Sequence, residues 1–519
     1  MEYSAAGLPR YCVTVLAPHI EPYIRFLVYY VAIVSSRFWI SCPVRVWYFS
    51  DRPLNMQKYQ WLCILYVTFG SVFYGYDSGC TTAILGYTSF LEYFKLDATL
   101  IGAFNSAYYG GSFIGCVMNW WLPDAIGRLR TIQIASVISL AGVAMQTGAP
   151  NFGVFCAGRV IGGIASGLVF SVCPTYASEI APPKFRGRVG GLYAFNVNAS
   201  YMLTEWLGLA FYFIRGNASW QLLIGLQLVP AAAMLIASFW MPFSPRWLVM
   251  KGRDDEALEV LSKMHRDTPG EDSSFYFREF HQIKAQIELD RSEELGFGAI
   301  LRKPSYRKRL YLICIFSFFC QLTGIIPIQN YQVVIYQRLG FTQVFSLILT
   351  GIWGTNGCFS AIVASLFVVD RLGRRPLLFI AYAFMISGGI MLVGMWAGFE
   401  GGGSTNSSLG KAVIFGMFWF EFGYAGFMNI FFATYAGEIL PTRVRAVGVA
   451  CNYVVFNATV IMLSQVTPIA IEHISWRYFL IFVICDIIFI VIFYFFYPET
   501  KNKTLEELAE VFGDQVSCY

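Results

Sequence analysis

Apolar runs of about 20 residues recur twelve times along this chain, over residues 61–85, 100–122, 131–149, 152–176, 188–213, 221–241, 309–337, 344–369, 376–398, 411–436, 446–470 and 476–497. A run of that length crosses a bilayer core as one helix. The runs are continuous rather than alternating, which predicts helices and not barrel strands, because every backbone group must be satisfied inside the hydrocarbon. Of the 519 residues 56% are apolar and 13% are charged, whereas a soluble domain has about 25% charged residues. There is too little polar surface to cover a soluble globule of this size. The expected fold class is an all-α integral membrane protein with twelve transmembrane helices.

Other classes drop away quickly. The net charge of +5 is modest and the basic residues form no patch suited to nucleic acid. The thirteen cysteines lie mostly singly in apolar runs, as at Cys63, Cys116, Cys156, Cys314 and Cys485. They read as small buried hydrophobes, with no metal site and no disulfide frame. No nucleophile–base arrangement or phosphate loop points to an enzyme, and no cofactor is expected.

Short loops alternate in basic content. Arg128 and Arg130, then Lys184, Arg186 and Arg188, then Arg371, Arg374 and Arg375, then Arg443 and Arg445, then Lys501 and Lys503 fall on one side. Lys95, Arg215 and Arg338 are scattered exceptions on the other. The positive-inside rule puts both termini in the cytoplasm. The longest polar segment divides six runs from six. The organisation read from the chain is an N-terminal segment at 1–60, a bundle at 61–241, a cytoplasmic helical linker at 242–308, a second bundle at 309–497 and a cytoplasmic tail at 498–519. In the linker, Ala257, Leu258, Leu261 and Met264 have the apolar spacing of a helix. In the N-terminal segment only about 11 residues separate Arg25 from Arg37, about half a bilayer core. That segment is read as an interfacial helix or an unstructured terminus.

Two phrases occur twice. DAIGRLR at 124–130 returns as DRLGRRP at 370–376, and SEIAPPKFRGR at 178–188 returns as GEILPTRVRAV at 437–447. Each pair follows the same helix of its half, so the bundles are duplicated and pseudo-symmetric, as in parallel-repeat transporters. Asp124, Arg128, Glu179 and Arg186, with counterparts Asp370, Arg374, Glu438 and Arg445, fall at predicted cytoplasmic helix ends. Carboxylate–arginine networks there can latch the cytoplasmic side shut and release it on opening. Loop orientation by surface charge would account for one copy; two copies at matched places favour a gate.

The duplicated phrases, together with GYDSG at 75–79, GRVIGGIASG at 158–167, PFSPRWL at 242–248 and PETKNKTLEEL at 498–508, resemble the sugar porter (sugar transporter) family of the major facilitator superfamily, especially its fungal members. The likeness covers roughly residues 61–512. It implies the major facilitator fold of two six-helix bundles, a central cavity and alternating access.

Asp77 lies within the first run. A bare carboxylate there costs about 3 kcal/mol on insertion scales, and Arg159, early in the fourth run, is the candidate counter-charge. Proton-coupled members of the resembling family carry an aspartate and an arginine at these places, and passive members commonly lack the aspartate. The resemblance therefore implies proton symport through Asp77 and Arg159, against the alternative of a static ion pair. Gln227 falls where some bacterial relatives have a glutamate.

Within the seventh run, CQLTGIIPIQNY matches the family's QQxxGxNxxxYY, whose amides bind sugar hydroxyls in typical members. Here Gln321 and Gly324 are kept, Cys320 and Ile326 replace amides, and Asn330 and Tyr331 take the aromatic places. The other cavity places fall on Ala194, Tyr201, Ala433 and Phe456, with Asn356 and Asn457 near two lost amides and Cys358 on one of them. An unmet hydroxyl costs roughly 1–3 kcal/mol. The pocket therefore argues against an ordinary hexose contact set and for a modified or less polar solute. Asn196, Asn198, Asn330, Asn356 and Asn457 are available as replacements, or simply pack helices. Gly324 and Pro327 should break or bend the seventh helix.

The expected function is proton-coupled import of a sugar or sugar-like small solute by a plasma-membrane monomer whose partners are the solute, protons and the bilayer. The alternatives are export of a small fungal metabolite and nontransporting nutrient sensing. Asn217 and Asn406 lie in sequons of predicted outer loops and are candidate glycosylation sites.

Overall fold

The computed structural model describes residues 58–180, 186–265, 274–292, 302–367, 372–402, 407–440, 442–501 and 512. The N-terminal segment up to residue 57 and most of the tail lie outside the described residues. The described residues are helical, with no strand among them.

The first bundle contains α1 (Lys58–Ile84), the short α2 (Thr88–Phe94), α3 (Ala98–Met118), the short α4 (Leu122–Ile126), α5 (Arg128–Thr147), α6 (Phe152–Ile180), α7 (Arg186–Tyr212), α8 (Ala218–Gly225) and α9 (Leu228–Ala237). The linker contributes α10 (Pro245–Met250), α11 (Asp254–His265) and α12 (Ser274–Ser292). The second bundle contains α13 (Pro304–Gln321), α14 (Ile325–Arg338), α15 (Gln343–Phe367), α16 (Arg374–Gly401), α17 (Ser407–Gly423), a π-helical turn (Tyr424–Met428), α18 (Asn429–Ile439), α19 (Thr442–Ile474) and α20 (Arg477–Phe496).

Helix bounds agree with the apolar runs to within a few residues, but three runs are not single helices. The run at 221–241 breaks between α8 and α9, where Pro230 cannot donate a backbone hydrogen bond to Leu226. The run at 411–436 is interrupted by the π turn, which takes an extra residue into the coil. The seventh run breaks at Gly324, whose φ of 92° lies in the left-handed region. Pro327 is not the breaking residue. It sits in the first turn of α14, where an amide hydrogen would be unpaired in any case.

Nine described helices are long and apolar enough to cross a membrane by length and composition. The runs that fall short are α1, α3 and α7. These carry Asp77, Ser78, Thr81 and Thr82, then Asn105, Ser112 and Tyr108, then Ser200, Thr204 and Glu205, all buried. Their lower hydropathy reflects faces turned to protein rather than to lipid.

Close packing in the first bundle uses the glycines of GRVIGGIASG. A Cβ on Gly163 of α6 would lie 3.0 Å from the Ser112 amide of α3, so only glycine lets the two backbones approach. The two bundles meet mainly where α3 packs on α19 and α7 packs on α15. At the end away from the linker, side chains also join them. Gln343 donates to Thr88 Oγ1 at 2.9 Å, Tyr212 donates to Gln343 Oε1 at 3.1 Å, and Thr82 donates to the Gln329 carbonyl at 3.3 Å.

The linker helices share a small core of Trp247, Leu248, Ala257, Leu261, Phe280 and Ile287. The expected apolar face of α11 is borne out for Ala257, Leu261 and Met264, which are buried. A salt bridge of 2.6 Å between Lys284 and Asp254 ties α12 to α11.

Candidate functional site

In α1, Asp77 is 6% exposed, and Arg159 of α6 is 1% exposed. Arg159 Nη1 meets Asp77 Oδ1 at 3.3 Å, and Nη2 donates to Thr81 Oγ1 at 2.6 Å. The guanidinium also lies over the rings of Phe104, at 4.8 Å, and Tyr108, at 4.6 Å. Cation and carboxylate are thus jointly buried, and the rings add attraction on the far face of the cation. Gln227, buried at the break between α8 and α9, donates to the same Asp77 oxygen at 3.2 Å. The residue expected only as a missing acid is therefore a direct partner of Asp77.

This pair is linked to the broken seventh helix. Asn330 of α14 donates to the Tyr109 hydroxyl at 3.4 Å, and the Tyr109 ring meets at 5.1 Å that of Tyr108, on which the Arg159 guanidinium lies. Next to it, Tyr331 donates to the Ser464 carbonyl of α19 at 2.6 Å, and its φ of −119° marks a kink inside α14. Movement of α14 would therefore be felt at the Asp77–Arg159 pair.

Gln321, the last residue of α13, is fully buried beside Cys320 and Tyr424, and neither atom of its amide makes a hydrogen bond of ordinary geometry. A buried amide without one costs about 1–3 kcal/mol. Cys320 lies 3.8 Å from the Tyr424 hydroxyl, and Ile326 is buried. The asparagines divide differently from a binding set. Asn356 donates to the Phe418 carbonyl at 3.1 Å, Asn457 to the Tyr453 carbonyl at 2.9 Å, and Asn196 to the Thr68 carbonyl at 3.4 Å. All three bind backbone and pack helices. Cys358 is buried in α15, and the side chains of Ala194 and Ala433 lie outside the described residues.

Tyr201 and Phe456 are partly exposed. Phe456 belongs to a strip of partly accessible rings drawn from both bundles. Tyr74 stacks on Phe170 at 4.2 Å, Phe170 meets Tyr453 at 5.0 Å, and Phe432 lies 5.6 Å from Phe456. The interior surface between the bundles is thus aromatic where the usual amides are lost. Asn105 of α3 adds another buried amide with no partner on either atom.

At the linker end of the first bundle the expected gate residues do converge. Arg128 bridges Asp124 at 2.8 Å and Glu179 at 3.1 Å, and its Nη1 donates to the Pro123 carbonyl. The Arg186 side chain lies outside the described residues, as do Asp370 and the side chains of Glu438 and Arg445. In the second bundle, the backbone amides of Arg374 and Arg375 donate to Glu499, at 2.7 Å and 2.9 Å. Partial burial acts to raise the pKa of Glu499, but backbone N–H groups of Lys501, Arg375, Arg374 and Thr500 outweigh it and hold the carboxyl below the usual glutamate value.

Asn217 immediately precedes α8 at the end away from the linker, and Ser219 of its sequon is buried and donates to the Gly216 carbonyl at 2.9 Å. Asn406 lies outside the described residues. No group of three His, Cys, Asp or Glu suited to a metal is found among the described residues.

The sequence reading does not single out three buried acids, Glu205 in α7, Glu421 in α17 and Asp486 in α20. Each is a lone acid in an apolar run, a signal that by default marks function in a membrane helix.

Residues 63–512 match the family model for "Sugar (and other) transporter". The MFS-type transporter criB of Aspergillus cristatus is 30% identical over 448 residues, covering 86% of this chain and 92% of that protein. The high-affinity glucose transporter of Kluyveromyces lactis is 29% identical over 465 residues, covering 86% of this chain and 84% of that protein. Among solved structures, the proton:xylose symporter XylE of E. coli superposes with a TM-score of 0.72 at 22% identity, covering 88% of this chain and 99% of that one.

Proposed function

This chain belongs to the sugar (and other) transporter family of the major facilitator superfamily, and from that premise we propose that it imports a sugar-like solute together with protons by alternating access. The observation that carries the proposal is the buried pair of Asp77 and Arg159, joined through the rings of Tyr108 and Tyr109 to the broken seventh helix. A carboxylate whose cation is near in one state and distant in the other takes up a proton and releases it. The contacts at the end away from the linker, around Gln343, close one side of the bundle junction in this state.

The relative named for glucose transport supports a sugar-like solute. The aromatic strip and the packing asparagines support one less polar than a hexose, with Gln321 as its amide contact. By the positive-inside rule the linker end and both termini face the cytoplasm, and the protein works as a plasma-membrane monomer.

The test is uptake of a solute panel into liposomes carrying the purified protein, with the pH gradient imposed in either direction. Solute accumulation should follow inward proton flow. Asp77→Asn should abolish accumulation while retaining exchange of solute at equal pH. Undiminished accumulation in that variant would remove Asp77 from the coupling, outward-only flux would make the protein an exporter, and strong glucose uptake would overturn the altered pocket.

A further inference from the structure

Glu205 of α7 and Glu421 of α17 belong to opposite bundles, and the mechanism above uses neither. Both are buried, at 0% and 7% exposure. Each has one oxygen, Oε2, with no hydrogen-bond partner. They press on the same face of α15, one turn apart. A Cβ on Gly354 would collide with the Glu205 carboxyl, and one on Gly357 would lie 2.9 Å from Glu421 Oε1. Glycine at both places is what admits two carboxyls against the α15 backbone. The two groups lie near enough for their charges to interact.

Every element packed around the pair brings neutral groups. Gln332 of α14 donates to Glu205 Oε1 at 3.1 Å, and Tyr336 donates in turn to Gln332 at 3.3 Å. The phenol of Tyr201, on α7, lies within electrostatic reach of Glu205, and that of Tyr424, in the π turn, within reach of Glu421. Tyr336 faces both acids. Asn198 of α7 borders Gly357 beside Glu421. No ion-pair partner of either acid exists among the described residues. This contrasts with Asp77, whose charge Arg159 balances. Two buried like charges with no cation cannot both ionise.

We propose that Glu205 and Glu421 form a second proton-binding site, shared across the junction of the two bundles and separate from Asp77. While the junction is closed, at least one of the two carboxyls is protonated. The bond from Gln332 to Glu205 crosses between the bundles, so parting them breaks it and admits water. The proton then leaves to water, and both carboxylates are solvated. Closing reverses the step, and the pair thereby favours closure when protons are abundant. This inference rests on the alternating-access reading for its role in transport, while the protonation itself does not.

Infrared difference spectroscopy of the full chain in liposomes tests it directly. At neutral pH the wild type should show a protonated-carboxyl C=O band that shifts in heavy water. Glu421→Gln and Glu205→Gln should each shift or weaken the band, and Asp77→Asn should leave it. If either glutamine variant fails to fold, the other decides. In transport, Glu421→Gln should flatten the dependence of solute exchange on pH at least several-fold. A band absent from the wild type, or unchanged in a folded glutamine variant, overturns the proposal. So does selective competition by glucosamine over glucose that disappears in Glu421→Gln, because the acids would then bind a solute ammonium. If uptake ignores the pH gradient while the band behaves as stated, the proton-coupled import reading fails and the protonated pair stands.

Discussion

The duplicated phrase before α5 and before α16 looks the same in sequence, but its glycine is there for a different reason in each bundle. In the first bundle the arginine side chain does the joining. Arg128, 10% exposed at its side chain, reaches Asp124 and the 8% exposed Glu179. Gly127 takes a φ of 99° and lies against the Trp247 indole, whose Nε1 donates to the Asp124 carbonyl at 3.1 Å. In the second bundle backbone amides join the turn to the tail. Gly373 has an ordinary φ of −72°, and it is glycine because Glu499 sits where a Cβ would be. Glu499 accepts from four successive or neighbouring amides, two of them at the N-terminus of α16, where a carboxylate also meets the positive end of the helix dipole. A duplicated motif therefore preserves the turn and its place, while the partner comes from whichever chain segment passes by: the linker in one half, the tail in the other.

The largest expected effect breaks the side-chain latch. Arg128→Ala leaves Glu179 buried without its cation, which costs about 3 kcal/mol, or about a hundredfold in the balance between states. Both the melting temperature in detergent and the initial uptake rate should fall steeply. A variant with near-normal values for both would show that the latch carries no energy. A smaller effect is expected from Glu499→Ala, about 1–2 kcal/mol, because the group is partly exposed. This latch also has a pH signature. The ordinary glutamate value is about 4.3, and the folded value of Glu499 is lowered. Its stabilisation is therefore complete above about pH 4.3 and is lost as pH falls through the lower folded value. Glu499→Gln should remove that acid limb from a plot of melting temperature against pH, and an unchanged limb would assign it to other carboxyls.

The same contrast explains what the sequence makes legible. Local features transfer directly: run length gives the helices, charge alternation the loop sides, and the repeated phrases the pairing of Asp124, Arg128 and Glu179. The buried Asp77–Arg159 pair is also legible, since an acid and a base each stand out in apolar runs. Partners that depend on a distant segment are not. Nothing local to DRLGRRP tells that Glu499 will occupy the space above Gly373. Nothing local to PFSPRWL tells that Trp247 will lie on Gly127. The asparagines fail for a related reason, because an amide in a helix binds backbone and solute with the same chemistry, and only the position of neighbours such as Phe418 and Tyr453 decides. Glu205 and Glu421 were visible as single letters, but their meaning comes from glycines on a third helix.

The smallest effect sharpens the comparison most cleanly. Phe243 stacks on Trp247 at 5.6 Å and receives the guanidinium groups of Arg130 at 5.5 Å and Arg253 at 5.8 Å. The packing on Gly127 is therefore built from rings and permanently charged arginines, none of which titrates near neutral or mildly acid pH, beside the Arg128 latch with its carboxylates. Trp247→Phe keeps a ring against Gly127 and removes only the hydrogen bond to the Asp124 carbonyl, worth about 1 kcal/mol. The resulting drop in melting temperature should be the same at neutral pH and in acid, whereas the drop caused by Glu499→Ala should shrink in acid. If the Trp247→Phe loss also fades on acidification, the two turns share a titrating group, and the division into a ring-held Gly127 turn and a carboxylate-held Gly373 turn is wrong.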